Sequence, residues 1–256
     1  MKITTWNINS VRRRETLVAD FLKREQPDWL LLQEIKCEEH QFPALGFAEL
    51  GYQAVVVGQK AYNGVCILHR EPVAVTHRKL PGMDEADAHA RYVEVAAGGL
   101  TIGNLYLPNG NSGGDAGYAY KLEWMAALRA RAAALLEADA DFVLAGDYNV
   151  APTDADYAPG ALTPDNALCR PPTRAAFNAL LWLGLTDALR ALHPREPLYT
   201  FWDYTAGCWD RNIGMRIDHA LLSPRLADRL AGVTIHKAER GQTQPSDHVP
   251  VSVEIS

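Results

Sequence analysis

The chain has 256 residues, with 25 Lys and Arg against 31 Asp and Glu, a formal net charge of −6. Hydrophobic residues make up 48%, which excludes a disordered chain, while 19 Gly, 15 Pro and 4 Cys exclude collagen-like and disulfide-dense scaffolds. The acidic balance argues against a domain that coats nucleic acid by bulk charge, although it leaves room for a local grip on phosphate.

In chain order, Ile3 to Ile8 reads as a strand closing at Asn9-Ser10. Val11 to Glu25 follows as a helix, with Leu17, Val18, Phe21 and Leu22 at helical spacing and Pro27-Asp28 as its stop. Trp29 to Leu32 is a short continuous apolar run, the pattern of a strand buried on both faces, and it ends in Gln33-Glu34-Ile35-Lys36. Strand, helix and strand within some thirty residues make a βαβ unit. Short β candidates follow at Ala54–Val57, Gly64–Leu68, Val93–Val95 and Leu100–Leu107, separated by Gly, Pro and Asn turns. Tyr118 to Ala138 is a helix with Leu122, Met125, Leu128 and Leu135 on one side. Phe142–Ala145 is a buried strand delivering Gly146-Asp147-Tyr148-Asn149. Ala175–Leu183 is a helix, and Arg216–Leu222 and Val249–Ile255 are late strands. The loops Asn109–Gly117 and Pro152–Pro172 interrupt elements without the look of flexible linkers. One α/β domain over residues 1–256 is expected.

Cys37, Cys66, Cys169 and Cys208 lack zinc spacing and read as small core residues in a reducing compartment. Met1-Lys2 runs directly into a strand pattern, and the alanine-rich stretch Met125–Leu136 is cut by Arg129 and Arg131. Neither a signal peptide nor a membrane span is expected, and the cytoplasm is the default location.

Polar residues that packing does not explain recur at the ends of apolar strands: Asn7 and Asn9, Glu34, Tyr106, then Asp147 and Asn149. Asp218 lies in Arg216-Ile217-Asp218-His219, and Asp247-His248 immediately precedes the last strand. Ligand sites of α/β sheets gather at strand ends. This oxygen-rich set suits Mg²⁺ or Mn²⁺ and not zinc. Each residue alone has a plainer reading: Asn7 ends a strand, Glu34 pairs with Lys36, and Gly146-Asp147-Tyr148-Asn149 is an Asx turn. The conjunction of several strand ends with one ligand chemistry favours a site. His193, His219 and His236 read as structural.

The motifs Thr5-Trp6-Asn7-Ile8-Asn9-Ser10, Leu32-Gln33-Glu34-Ile35-Lys36, Tyr62-Asn63-Gly64-Val65 and Leu105-Tyr106-Leu107-Pro108-Asn109-Gly110 occur in that order. Gly146-Asp147-Tyr148-Asn149-Val150-Ala151-Pro152, Tyr199-Thr200-Phe201-Trp202-Asp203-Tyr204, Arg216-Ile217-Asp218-His219 and Pro245-Ser246-Asp247-His248-Val249-Pro250 follow. Over essentially its whole length the chain resembles the exonuclease III family of apurinic/apyrimidinic (AP) endonucleases, within the endonuclease/exonuclease/phosphatase superfamily. The resemblance implies a four-layer α/β sandwich, two packed β-sheets flanked by helices. It makes Glu34 the principal Mg²⁺ ligand with Asn7 beside it. On the same resemblance, Asp147 and Asn149 would position or deprotonate the attacking water and hold the scissile phosphate, and Tyr106 would bond the phosphate or leaving group. Asp218 would orient His248, and Asp247 would serve a second or alternative metal position. The implied metal set is Asn7, Glu34, Asp147, Asn149, Asp247 and His248, for Mg²⁺ with Mn²⁺ as the alternative.

Lys36, Asn109, Phe201, Trp202, Arg12 and Arg13 are the expected DNA contacts. Phe201 and Trp202 would wall an abasic pocket, and Met215 stands where some relatives place an aromatic residue. The Arg12-Arg13-Arg14 run reads equally as phosphate contacts or as a solvated helix face. What the resemblance implies is a monomeric, Mg²⁺-dependent DNA repair nuclease acting on double-stranded DNA, 5′ to abasic sites and at 3′ ends. Alternatives are a 3′→5′ exonuclease without AP-site cleavage, the same chemistry on RNA or a small phosphate ester, and an inert nucleic-acid-binding scaffold. The last needs a broken catalytic position, and none is visible.

Overall fold

The central strands point side chains alternately two ways, and both ways are apolar, so each sheet must be covered on both faces. The computed structural model describes residues 1–256 and satisfies that demand with two six-stranded mixed sheets. The first contains β1 (Lys2–Asn7), β2 (Trp29–Gln33), β3 (Gln53–Val57), β4 (Val65–His69), β11 (Leu230–Ile235) and β12 (Val251–Ile255), ordered β11-β12-β1-β2-β4-β3. The second contains β5 (Ala74–His77), β6 (Tyr92–Ala97), β7 (Leu100–Tyr106), β8 (Asp141–Asp147), β9 (Thr186–Asp187) and β10 (Asp218–Leu222), ordered β5-β6-β7-β8-β10-β9.

The helices are α1 (Glu15–Glu25), α2 (Ala44–Ala48), α3 (Gly114–Glu137), α4 (Pro171–Leu181), α5 (Ala188–Leu192) and α6 (Pro224–Ala227). Ile3, Leu31 and Ile67 of the first sheet meet Val93, Ile102, Val143 and Ala145 of the second in a central apolar layer. Leu30, Leu32 and Leu68 face outward onto Val18, Phe21 and Leu22 of α1. Phe142 and Leu144 face outward onto Trp124, Leu128 and Leu135 of α3 and Phe177 of α4. The result is the expected four-layer α/β sandwich. None of its helices is long and apolar enough to cross a membrane.

Each sheet has one parallel pair at its centre, β1 with β2 and β7 with β8, and every other pairing is antiparallel. The C-terminal ends of β1, β2, β7 and β8 therefore share one end of the sandwich. Antiparallel β10 and β12 begin at that same end, with Asp218 opposite Asp147 and Val251 opposite Thr5. This topology brings distant polar motifs together.

Several boundaries differ from expectation. Val11–Glu25 is not one helix: a 3₁₀ turn covers Val11–Arg13, and α1 starts at Glu15 because Arg14 leaves helical geometry with its guanidinium folded back into the protein. The long helix begins earlier, at Gly114, and α4 starts at Pro171, whose ring suits the first helical turn. The expected strand at Arg216 begins only at Asp218, since Arg216 and Ile217 lie in the preceding loop. The edge strands β5 and β11 are additions to the expected set; they bury few side chains and so lack a clean apolar alternation. All four cysteines are free, three of them buried and Cys208 only partly so.

Candidate active site

The end where the parallel strands finish carries a buried, hydrogen-bonded cluster of acids, amides and one imidazole. Asn7 closes β1, and its Nδ2 donates to Glu34 Oε1 at 2.9 Å and to Asp147 Oδ2 at 2.9 Å, joining the two sheets. Asp147 closes β8, and its Oδ1 accepts the main-chain N–H of Asn149 at 2.9 Å. A Cβ on the preceding Gly146 would lie 1.9 Å from the Leu105 carbonyl, so only glycine permits this close approach of β8 to β7. Asn149 donates to the Leu107 carbonyl and accepts from Asn109 Nδ2 at 2.9 Å. His248 Nδ1 lies 2.9 Å from Asp218 Oδ2, and its Nε2 faces Asp147 Oδ2 at 3.7 Å. Glu34, Lys36 and Asn149 all hold positive φ, and strained backbone of this kind concentrates at functional sites.

Charge in the cluster is unevenly balanced. Burial raises the Asp147 carboxyl above its ordinary range, and Asp218 and Glu34 push the same way against the pull of His248. For His248 burial alone would discharge the ring, but Asp218 and Asp147 outweigh it and hold an imidazolium. Glu34 is held below its usual value despite burial, by Lys36 at 2.9 Å and by Asn7. Burial beside Glu34 and Asp147 keeps the Tyr106 phenol protonated, as a donor.

Above the cluster opens a cleft of about 360 Å³ lined by Glu34, Tyr106, Asn109, Asp147, Asn149, Phe201, Asp247 and His248. Its apolar side comes from Ala161, Leu162, Leu168, Phe201, Met215 and Ile217. Asn7 and Asp218 are buried behind the lining, each bonded to a residue that does line it. Asp247 is partly exposed on the rim, where it accepts from Asn9 Nδ2 at 3.2 Å. It lies outside the tight group of Glu34, Asp147 and His248, so the expected metal set separates into a core and a rim.

Two expectations are corrected. Trp202 is not a wall of the cleft. It is 1% exposed, donates to Asn212 Oδ1 and packs edge-on against Trp209, because the chain alternation that turns Phe201 inward turns Trp202 the other way. Arg14 is neither a phosphate contact nor a solvated face. It is buried and donates to the carbonyls of Ile8, Asn9, Gln244 and Pro245 and to the Tyr204 hydroxyl, tying the start of the chain to the segment before His248. Arg12 and Arg13 are exposed, and Lys36 reaches Glu34 and Asn9 Oδ1.

Three functional candidates are absent from the expected set: Asn111 and Asn166, which also line the cleft, and Lys121, which is fully buried below it. A signal for Lys121 exists in the sequence: it lies one, two, three and four turns before Met125, Leu128, Ala132 and Leu135, on the apolar face of α3. Burial pulls its ammonium down to about 7, partly offset by Asp147. For the asparagines, as for Arg14, nothing in the local pattern distinguishes them from their neighbours.

The ligand atoms of Glu34, Asp147 and His248 all lie within 4.8 Å of one another. Oxygen donors dominate, no cysteine is near, and the excess negative charge that raises Asp147 is what a hard divalent cation would relieve. Glu34 and Asp147, with Asn7 beside them, therefore fit such an ion.

Sandwich and site together fit a hydrolytic enzyme that works with a divalent cation, and comparisons with known proteins narrow the class. Residues 4–248 match the model of the Endonuclease/Exonuclease/phosphatase family. Exodeoxyribonuclease III of Haemophilus influenzae is 32% identical, with 100% of each chain covered. DNA repair nuclease APEX1 of Danio rerio is 34% identical over 99% of this chain and 81% of that protein. Among solved structures, the 3′ phosphatase NExo from Neisseria bound to product DNA hairpin superposes with a TM-score of 0.94 at 37% identity, covering 100% of this chain and 99% of that one. An AP endonuclease from Archaeoglobus fulgidus gives 0.93 at 34% identity, covering 100% and 99%. The chain belongs to the Endonuclease/Exonuclease/phosphatase family, in its AP endonuclease and exodeoxyribonuclease III branch. It is a nuclease, a phosphodiesterase by chemistry, from a family whose nucleases depend on metal.

Proposed function

We propose that the protein is a Mg²⁺-dependent DNA repair nuclease that hydrolyses phosphodiesters 5′ to abasic sites and processes DNA 3′ ends. Its 256 residues would work as one domain and as a monomer, in the cytoplasm. The observation that carries this reading is the His248–Asp147 pair, with Nε2 3.7 Å from Oδ2, at the foot of a cleft whose other side is apolar.

Each residue has a task that follows from its surroundings. Asp218 holds His248 by Nδ1, so the imidazolium presents its Nε2–H to a phosphate oxygen, where negative charge grows in the transition state. Asp147, its Oδ2 3.7 Å from His248 Nε2 at the foot of the cleft, is suited to take a proton from the attacking water. Tyr106 stays protonated and donates toward the phosphate or the leaving oxygen. Asn149, fixed by Leu107 and Asn109 on the cleft lining, has one Nδ2–H left to donate to the same phosphate. Asn7 presents Glu34 and Asp147 as ligands, with Asp247 on the rim as a further carboxylate. A divalent cation held there would neutralise charge on the phosphate oxygens.

Substrate choice rests on the apolar wall. Ala161, Leu162, Leu168, Phe201, Met215 and Ile217 offer a surface for a sugar without a base, and base loss lowers the cost of extruding that sugar from the helix. Lys36, Asn109, Arg12 and Arg13 would contact the flanking strand. One observation favours a second reading, a 3′-end enzyme without AP-site cleavage: Met215 gives the wall a flexible thioether, and the Neisseria relative is a 3′ phosphatase.

Matched duplexes, one with an internal abasic site and one with a recessed 3′ end, decide between the two. Both should be cut in Mg²⁺, neither in EDTA. Degraded 3′ ends beside an intact abasic strand would select the second reading, and turnover in EDTA would refute the metal.

A further inference from the structure

Lys121 sits within α3, is 0% exposed and has no carboxylate partner. Its Nζ donates to three main-chain carbonyls: Pro108 at 3.1 Å, Asn109 at 3.2 Å and Asn149 at 2.7 Å. In its ammonium form Nζ has three N–H groups, one for each of these carbonyls. Those carbonyls belong to two separate loops, one after β7 and one after β8, whose asparagines meet over the cleft through Asn109 Nδ2 and Asn149 Oδ1 at 2.9 Å. The loop after β7 also folds closely around the lysine stem. Gly110 has φ +85, and a Cβ there would lie 2.6 Å from Lys121 Cδ. A buried cation is costly, and an apolar residue at this point on α3 would continue the core without that cost. Holding the loops apart at a set distance is what the lysine adds.

We propose that Lys121 is a positioning residue of the nuclease site, a three-pronged tether that fixes the Asn109 and Asn149 amides relative to each other where the phosphate is held. This rests on the assignment of the cleft to phosphodiester hydrolysis. Lys121 reaches no solvent, so it displaces no counterion when DNA binds. Its effect falls on turnover.

The test uses the full-length protein with Mg²⁺ and the recessed-3′ duplex. Lys121→Met removes the donors, and kcat should fall ~10–100-fold, less than for loss of a donor that touches the reacting phosphate directly. KM and the salt slope of duplex binding should stay within ~twofold of wild type. Lys121→Arg, which keeps donors in place, should recover most of that loss. Gly110→Ala should lower kcat too, and with Lys121→Met the combined loss should be smaller than the product of the two. An unchanged kcat per folded molecule in Lys121→Met, or an equal loss in Lys121→Arg, would overturn the tether.

Should Lys121→Met not fold, the wild-type protein serves. With inorganic phosphate as the probe, the Lys121 Nζ resonance and the Asn109 and Asn149 side-chain amides are followed by ¹⁵N NMR. Concerted shifts support the proposal. Amide shifts with a stationary Nζ overturn it, and no shift in any of them instead refutes the phosphate site.

Discussion

Two buried carboxylate networks in this protein are built to opposite specifications. On the outer face of the second sheet, Glu94 of β6 accepts from Arg131 Nε at 2.9 Å and Nη2 at 2.7 Å, from Thr76 Oγ1 at 2.6 Å and from the Tyr92 hydroxyl at 2.7 Å. Burial would raise its pKa, yet Arg131, Thr76 and Tyr92 hold it at about 2. The group is satisfied and pins α3 to the sheet. At the strand ends, Asp147 shares its surroundings with Asp218 and Glu34, has only amide donors and one imidazole, and is pushed upward. A balanced carboxylate stabilises a fold, whereas an unbalanced one keeps affinity for a proton or a cation. Both carboxylates lie on interior strands of the same sheet, Glu94 within β6 and Asp147 at the end of β8. The difference is the arginine.

Breaking each network should therefore give opposite phenotypes. The largest effect is expected at the unbalanced one, where Asp147→Asn or His248→Ala should each cost ~10²–10⁴ in rate, with the circular dichroism spectrum and melting curve close to wild type. Full activity in either would show that the water-activating pair lies elsewhere. At the balanced network, Arg131→Met leaves the buried Glu94 with only Thr76, Tyr92 and His77 as partners and should destabilise the fold by ~3–5 kcal/mol in urea titrations. Its kcat per folded molecule should be unchanged. A rate loss comparable to that of Asp147→Asn would erase the distinction.

The pH dependence of stability sharpens the contrast. The folded pKa of Glu94 is about 2, below the ordinary 4.5, so the folded state favours the ionised form. Its stabilisation is fully present above about pH 4.5 and is lost as pH falls toward 2, amounting to about 3 kcal/mol over that window. Melting temperature should fall more steeply below pH 4.5 for wild type than for Glu94→Gln. Parallel acid limbs would show that Arg131 does not hold the charge.

The smallest effect concerns the arginines that, unlike Arg131, have no carboxylate. Arg12 and Arg13 are exposed beside the end of β1. If they contact DNA, Arg12→Ala with Arg13→Ala should flatten the salt slope of duplex binding by roughly 1–2 units, about 0.9 per lost contact. An unchanged slope leaves them as solvated surface.

Periodicity and turn chemistry are local properties, and what depends on them is legible in the order of residues alone. The βαβ start, the buried runs at Trp29–Leu32 and Phe142–Ala145, and the motifs ending in Asn7, Glu34 and Asp147 are all written in residues adjacent in the chain. The edge strands β5 and β11 are not, because these two, unlike the edge strand β3, bury too little to show alternation. Three adjacent arginines look alike in sequence, yet the fold buries Arg14 under four carbonyls and leaves Arg12 and Arg13 outside. Phe201 and Trp202 are neighbours of similar chemistry, and only packing against Trp209 on one side and His248 on the other sends one to the core and one to the cleft. Sequence by itself determined which chemistry the chain carries and at which strand ends. Which carboxylate would be balanced, and which left able to take a proton or a metal, was decided only by the tertiary structure, because a pKa is set by burial and by charges brought close from elsewhere in the chain.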